Sequence, residues 1–455
     1  MPHVTRRQFL QYSAQGLIAG WAAPLLAQVA GDRPPRQTAV KVLNPENRVP
    51  VSFIIDDSTC LANLAHFAIP QFRETFPDRY LQDWRKLPRE IPDAFVRKFA
   101  DWCRDQGVKG KYSIVPYPAC VGWVDRELPG WSKRDLNASL ALVRDELTPN
   151  WDIHPEMVSH TRVIDTKTGR PFPETTEFFM ENWRWTDGKS ADQLADYIGF
   201  ALKILKNAGL PCEGITTPGG FGNRVLPELA QGVLQACRDV YHTEIPHYFR
   251  HLYIDERSVA PRVEYAAGLG GPDPRCVVSI IGCTGDWFGG WDGLERGSVD
   301  QFITADLKSG RLPQVIDRGE PAILVCHWPG MYFNGDEVGF NIFREVVARL
   351  HARYDHLLWM KLSEIARYWA ARELTSIAAT AEGITFDAPF ATPRFTVQST
   401  RSAAAPPHLS AAGNSTPLAR VASLSQLRRG AWHHEAETFT ACLDLPKGRS
   451  VLSFG

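Results

Sequence analysis

The sequence predicts an α/β fold, a distorted (β/α) barrel of about seven parallel strands over residues 49–373, followed by a small β-rich region over residues 374–455. Three observations predict it. Apolar runs that read as buried strands alternate with helical periodicity from Val49 to Glu373, and repeated strand-then-helix order makes the strands parallel. At six or seven repeats such strands close, or nearly close, on themselves. Beyond Glu373 the texture changes to short alternating runs, and 455 residues divide naturally into one large unit and a smaller one.

The chain opens with Thr5-Arg6-Arg7-Gln8-Phe9-Leu10 ahead of an apolar stretch from about Leu17 to Ala30 that ends in small residues. This reads as a twin-arginine signal peptide over residues 1–30, cleaved near Ala27 or Ala30. Gly20, Pro24 and Gln28 interrupt the run, which falls short of the ~20 apolar residues of a spanning helix. The expectation is therefore a periplasmic or secreted protein that engages the twin-arginine export machinery and keeps no stable membrane span. Residues 31–48 read as a linker.

The strand candidates are Val49–Asp56, Gly110–Val115, Asp152–Ser159, Gly214–Thr217, Val277–Cys283, Ala322–Cys326 and Leu357–Met360. Between them the spacing predicts amphipathic helices over Ile91–Gln106, Leu136–Glu146, Ala191–Ala208, Val225–Arg238, Val299–Lys308 and Val338–Ala352. The stretch Tyr241–Ala267 fits this scheme least well. In the C-terminal region Gly383–Phe386, Arg394–Gln398 and Glu435–Phe454 read as strands around a flexible Ala/Ser/Pro-rich insert, Ser402–Pro417, and no solenoid repeat is visible.

Fifty basic and 51 acidic residues leave a net charge of -1, which excludes the basic footprint of a nucleic-acid binder and favours a neutral ligand. Fourteen tryptophans suit the flat faces of sugar rings as well as a core. The nine cysteines form no CxxC pair; one or two disulfides fit an exported chain, but no disulfide scaffold or zinc knuckle is present.

In a parallel barrel the reactive residues come from the C-terminal ends of strands. The first strand ends in Asp56-Asp57, two carboxylates that are costly at a buried mouth unless something charged or protic uses them; capping of a turn near Ser58 and Thr59 is the alternative. The third ends at Ser159-His160-Thr161. His154 lies six residues upstream, roughly 20 Å away if the strand stays extended, so the two histidines share one ion only if the chain bends at Pro155; Asp165 is better placed. The fourth strand runs into Thr216–Asn223, a glycine-rich turn without a phosphate-loop signature, expected to line a substrate groove through Thr217 and Gly219. The fifth ends in a loop with Asp286, Trp287 and Trp291, and the sixth in Cys326-His327-Trp328. Asp286, Trp287, Trp291 and Trp328 are expected to contact substrate, and His327 to emerge beside Asp56, Asp57 and His160.

These motifs, in this order, resemble the polysaccharide deacetylase (NodB-homology) carbohydrate esterases. Ile54-Ile55-Asp56-Asp57-Ser58 is similar to that family's TFDDG motif, His160-Thr161 to the first half of H-[ST]-x-x-H, Thr216–Phe221 to its arginine-containing third motif without the arginine, and Ile323–His327 to its final strand ending in histidine. The resemblance implies a metal-dependent hydrolase that deacetylates a polysaccharide or oligosaccharide, with a divalent ion, typically zinc. Asp56 would be the base, His327 the general acid, and Asp57 and His160 metal ligands. Ile164 stands where the second histidine ligand is expected, which leaves Asp165 or His154 to complete the set. Two other classes stand beside this one: a glycoside hydrolase or lyase pairing Asp56 with Glu156 or Asp286, and a non-catalytic carbohydrate-binding protein.

Overall fold

The strands of the larger unit run in chain order as β1 (Val49–Asp56), β2 (Gly110–Ser113), β3 (Trp151–His154), β4 (Gly214–Thr216), β5 (His247–Leu252), β6 (Arg262–Ala267), β7 (Arg275–Gly282), β8 (Ala322–His327) and β9 (Leu357–Trp359). They come from a computed structural model that describes residues 31–34, 39–380, 382–400 and 406–454, so the twin-arginine segment lies outside the described residues. β1 is buried along its whole length because both of its faces are covered. Phe53 and Ile55 face the outer helices, where Phe53 stacks on Phe343 with ring centroids 4.0 Å apart, while Ile54 packs inward with Ile323, Val325 and Val278.

The strands are parallel but do not form one continuous barrel. One sheet has the order β8-β1-β2-β3 with β9 added to the start of β1; the other has the order β4-β5-β7-β6, in which β6 runs antiparallel to β7. At one seam β3 ends at His154, before Pro155, which has no N–H to give, and the junction with β4 shrinks to Thr216 N–H on the Pro155 carbonyl (3.0 Å) and one bridge at Glu156. At the other, Cys283 donates to the Ile323 carbonyl (2.8 Å), and the Thr284 hydroxyl accepts from Val325 N (3.1 Å) where a backbone carbonyl would serve in a ladder.

The helices that cover these sheets are α1 (Leu64–Thr75), α2 (Asp93–Asp105), α3 (Lys133–Leu142), α4 (Ala191–Asn207), α5 (Leu226–Tyr241), α6 (Val338–Arg353) and α7 (Leu362–Leu374). A capping box, Ser190 with Gln193, starts α4. The helix expected over Val299–Lys308 stops at Phe302, and α1 forms although Pro70 sits inside it. Among the described residues no helix is long and apolar enough to cross a membrane.

Two five-stranded sheets complete the chain. Val40–Val42, from the segment expected as a linker, pairs antiparallel with Thr392–Thr400, and the expected insert contributes the hairpin His408–Ala411 with Asn414–Pro417. Phe386 and Phe395 meet between the sheets with centroids 6.0 Å apart, and α7 packs beneath. All nine cysteines are free thiols, eight of them buried as small hydrophobes in the core, so no disulfide forms.

Candidate functional site

The site begins with register. β1 and β8 pair so that Asp56 lies opposite His327, which brings the ends of two strands to one level. Lys111 of β2, fully buried, aims its ammonium between Asp56 Oδ1, the Ile55 carbonyl (3.0 Å) and Ser113 Oγ (2.8 Å). A buried carboxylate thereby gains the opposite charge it needs.

One residue on, Asp57 takes a left-handed conformation (φ 58°), and its N–H donates to Glu156 Oε2 at 2.8 Å. Glu156 comes from the loop after Pro155. The extended strand expected over Asp152–Ser159 stops at His154 because Pro155 interrupts pairing, and left-handed Met157 and His160 curl the loop back over the mouth. His160 Nε2 stands 3.0 Å from Asp57 Oδ1, and its Nδ1 stands 3.6 Å from Glu156 Oε1. The loop is held by Glu181, whose carboxylate accepts the backbone N–H groups of Val158, Ser159 and His160 and the hydroxyl of Tyr197 (2.5 Å).

Asp57, Glu156 and His160 are each at least nine-tenths buried, and one ligand atom from each lies within 4.8 Å of the other two. His160 Nδ1 has no hydrogen-bond partner, and Asp57 Oδ1 has no hydrogen bond beside its 3.0 Å contact with His160 Nε2. Unpaired buried polar atoms are costly, and two oxygens with one imidazole nitrogen are donors that a divalent cation takes. The three residues therefore fit a metal ion. Burial, and then repulsion from Asp56 and Asp57, pushes the Glu156 carboxyl well above the usual carboxylate range, while burial lowers His160 against the attraction of Asp57.

His327 closes the site. Its Nδ1 is 2.8 Å from Asp286 Oδ2, which leaves Nε2 for a ligand. Burial works against its positive charge, but Asp57 and Asp286 outweigh it and raise the imidazole to about 10. Since 28 % of the side chain is exposed, water screens part of this effect without changing its sign.

Of the residues singled out in the sequence, Asp56, Asp57, His160 and His327 act electrostatically on one another here. The rest take other places. Asp165 accepts from Lys167 N–H and the Thr168 hydroxyl in a surface turn, and His154 lies inside the ring of strands against His247. Glu156 stands where a third metal ligand was sought, and its sequence signal was the i,i+4 spacing to His160. Asp286 Oδ2 meets His327 Nδ1. Trp328 is buried among Phe95, Phe99 and Tyr112 as core. Thr217 gives its hydroxyl to the Phe249 carbonyl, and Gly219 lets the chain pass Asn182, whose carbonyl would lie 2.6 Å from a Cβ. Trp287 packs on Phe302, and Trp291 on Phe72 and Tyr80, each half-buried. Lys111 and Glu181 escaped the sequence reading altogether.

No protein-family model matches the sequence, and no curated protein matches it. Among solved structures, a probable polysaccharide deacetylase from Pseudomonas aeruginosa PAO1 aligns over 71% of this chain and 91% of its own, with 10% identity and a TM-score of 0.35. Puue allantoinase aligns over 78% and 98%, with 10% identity and a TM-score of 0.39. Similarities of this size establish neither family nor activity.

Proposed function

We propose that the protein is a metal-dependent hydrolase that removes acetyl groups from a polysaccharide or oligosaccharide, acting outside the cytoplasm after twin-arginine export. The observation that carries this reading is the buried triplet Asp57, Glu156 and His160 set beside two further acid–base groups, Asp56 and His327. A divalent ion held by the triplet, zinc by its donor set, would supply a Lewis acid that polarises an acetyl carbonyl and acidifies water. The chain's own residues do the rest. Asp56 offers the carboxylate oxygen not engaged by Lys111 to take a proton from the attacking water. His327, charged and oriented by Asp286, gives a proton from Nε2 to the leaving nitrogen or oxygen. The half-buried Trp287 and Trp291 supply indole faces for sugar rings on this reading.

The test pairs two neighbours. Asp57→Ala is expected to lose the ion of this site and all acetate release from acetylated oligosaccharides. Asp56→Asn is expected to keep the ion and lose ~100- to 10,000-fold in turnover. Wild-type protein that releases no acetate, or an Asp56→Asn variant with full activity, refutes the reading. Release of reducing ends without acetate transfers the pocket to a glycosidase, for which Glu156, with its raised carboxyl, and Asp56 would be the acid and the carboxylate.

A further inference from the structure

A second cluster of ligating side chains lies inside the ring of strands, toward α7. Asp152 and His154 extend from β3, and His247 from β5 in the other sheet. All three are buried, the histidines completely, and one ligand atom from each lies within 4.8 Å of the others. The two Nε2 atoms face each other at 3.0 Å, and His247 Nε2 is 3.9 Å from Asp152 Oδ2. Ser363 of α7 donates to both Asp152 oxygens, and Lys361 Nζ stands 3.8 Å from Oδ1.

His154 Nδ1 lies 3.4 Å from Thr216 Oγ1, and the buried His247 Nδ1 has no hydrogen-bond partner. The 3.0 Å gap is a hydrogen bond when one ring carries its proton on Nε2, and a pair of facing lone pairs when neither does. A cation that took a lone pair from each ring would replace that bond, and ligating histidines commonly place their other nitrogen on a hydrogen-bond partner, as His154 Nδ1 does on Thr216. Gly214 keeps the space clear, since a Cβ there would lie 2.7 Å from His247 Nε2 and 2.8 Å from His154 Nε2. The cluster also spans the β3–β4 seam, where one backbone hydrogen bond and one bridge join the two sheets.

We propose that Asp152, His154 and His247 bind a structural zinc ion that ties the two sheets together, independent of the strand-end site. Two imidazoles and a carboxylate are zinc's ligand types, and with all three residues buried the ion would join strands rather than meet substrate.

The test is metal analysis of the full mature protein purified from zinc-supplemented cells, with crystals scanned at the zinc absorption edge. His247→Gln is expected to hold one zinc fewer per chain than wild type, while Asp57→Ala retains this ion whatever happens at the strand-end site. An anomalous peak among Asp152, His154 and His247 supports the assignment even if His247→Gln does not fold. Equal zinc in wild type and His247→Gln, or wild-type crystals without that peak, overturns it and leaves a buried histidine–histidine hydrogen bond. A wild type with one zinc that His247→Gln removes and Asp57→Ala does not would support this site and count against a metal in the proposed catalytic one.

Discussion

Lys111→Met separates charge pairing from packing at the site. Methionine keeps most of the lysine stem, but Asp56, only 5 % exposed, loses its counter-charge, and the Ile55 carbonyl and Ser113 hydroxyl lose their shared donor. Breaking a buried pair by removing one partner costs about 3–5 kcal/mol, a large part of the ~5–15 kcal/mol that holds most domains folded. Asp56→Asn alone strands the ammonium between two neutral acceptors. In Lys111→Met/Asp56→Asn neither charge remains, so the double variant is expected to be more stable than the sum of the single losses by ~0.5–3 kcal/mol. Urea unfolding of all four proteins, followed by circular dichroism with slopes compared as well as midpoints, measures the cycle. A Lys111→Met loss below about 1 kcal/mol, or single effects that add within ~0.5 kcal/mol, would refute the reasoning.

Three further outcomes follow from the geometry. His327, raised to about 10 in the folded chain against ~6.5 unfolded, adds stability that is complete below about pH 6.5 and fades as pH climbs toward 10; NMR of metal-free protein should find its ring protonated through neutrality and its midpoint lowered in Asp286→Asn, and a wild-type midpoint near 6.5 contradicts this. In metal-free protein His154 and His247 have the opposite sign, since their folded values are depressed: the stability they permit is present above about pH 6.5 and falls toward pH 4 at up to ~1.4 kcal/mol per pH unit per histidine. His247→Gln should flatten that decline in urea titrations, and an unchanged slope argues against it. Glu181→Ala leaves the amides of Val158, Ser159 and His160 and the Tyr197 hydroxyl without their acceptor, at ~1–3 kcal/mol for a buried unsatisfied group, so hydrogen exchange at those amides should accelerate at least tenfold; unaltered exchange would show that Glu181 does not hold the loop.

What the sequence disclosed depended on apolar contrast. β1 and β8 are apolar runs ending in Asp56-Asp57 and His327, so these strand-end groups are legible in the sequence alone. β5 is not, because His247-Tyr248-Phe249-Arg250-His251 carries polar side chains into the interior and shows no apolar run. α1 was masked by Pro70. The departure from a continuous barrel turns on Pro155, which the sequence displays, but its effect on the neighbouring ladder is a tertiary matter. Lys111 lay hidden for the opposite reason. A lysine inside a strand looks like a solvent-facing residue until a buried carboxylate from another strand is set against it. Glu181 serves a loop some twenty residues upstream, and no local pattern marks such a contact.

The apolar cluster that includes α7 has a consequence for how the molecule melts. Ile365 and Trp369 share one cluster with Ile54 and Ile323 of the larger unit and with Phe386 and Phe395 of the terminal sheets. The Tyr368 hydroxyl donates to the Leu43 carbonyl (2.6 Å) and accepts from Thr396 N–H (3.3 Å). The change of texture near residue 373 is therefore a border in the pattern of residues and not in free energy. A chain cut there would leave α7 with its outer face bare, and heating the whole protein should erase both parts in one transition rather than two.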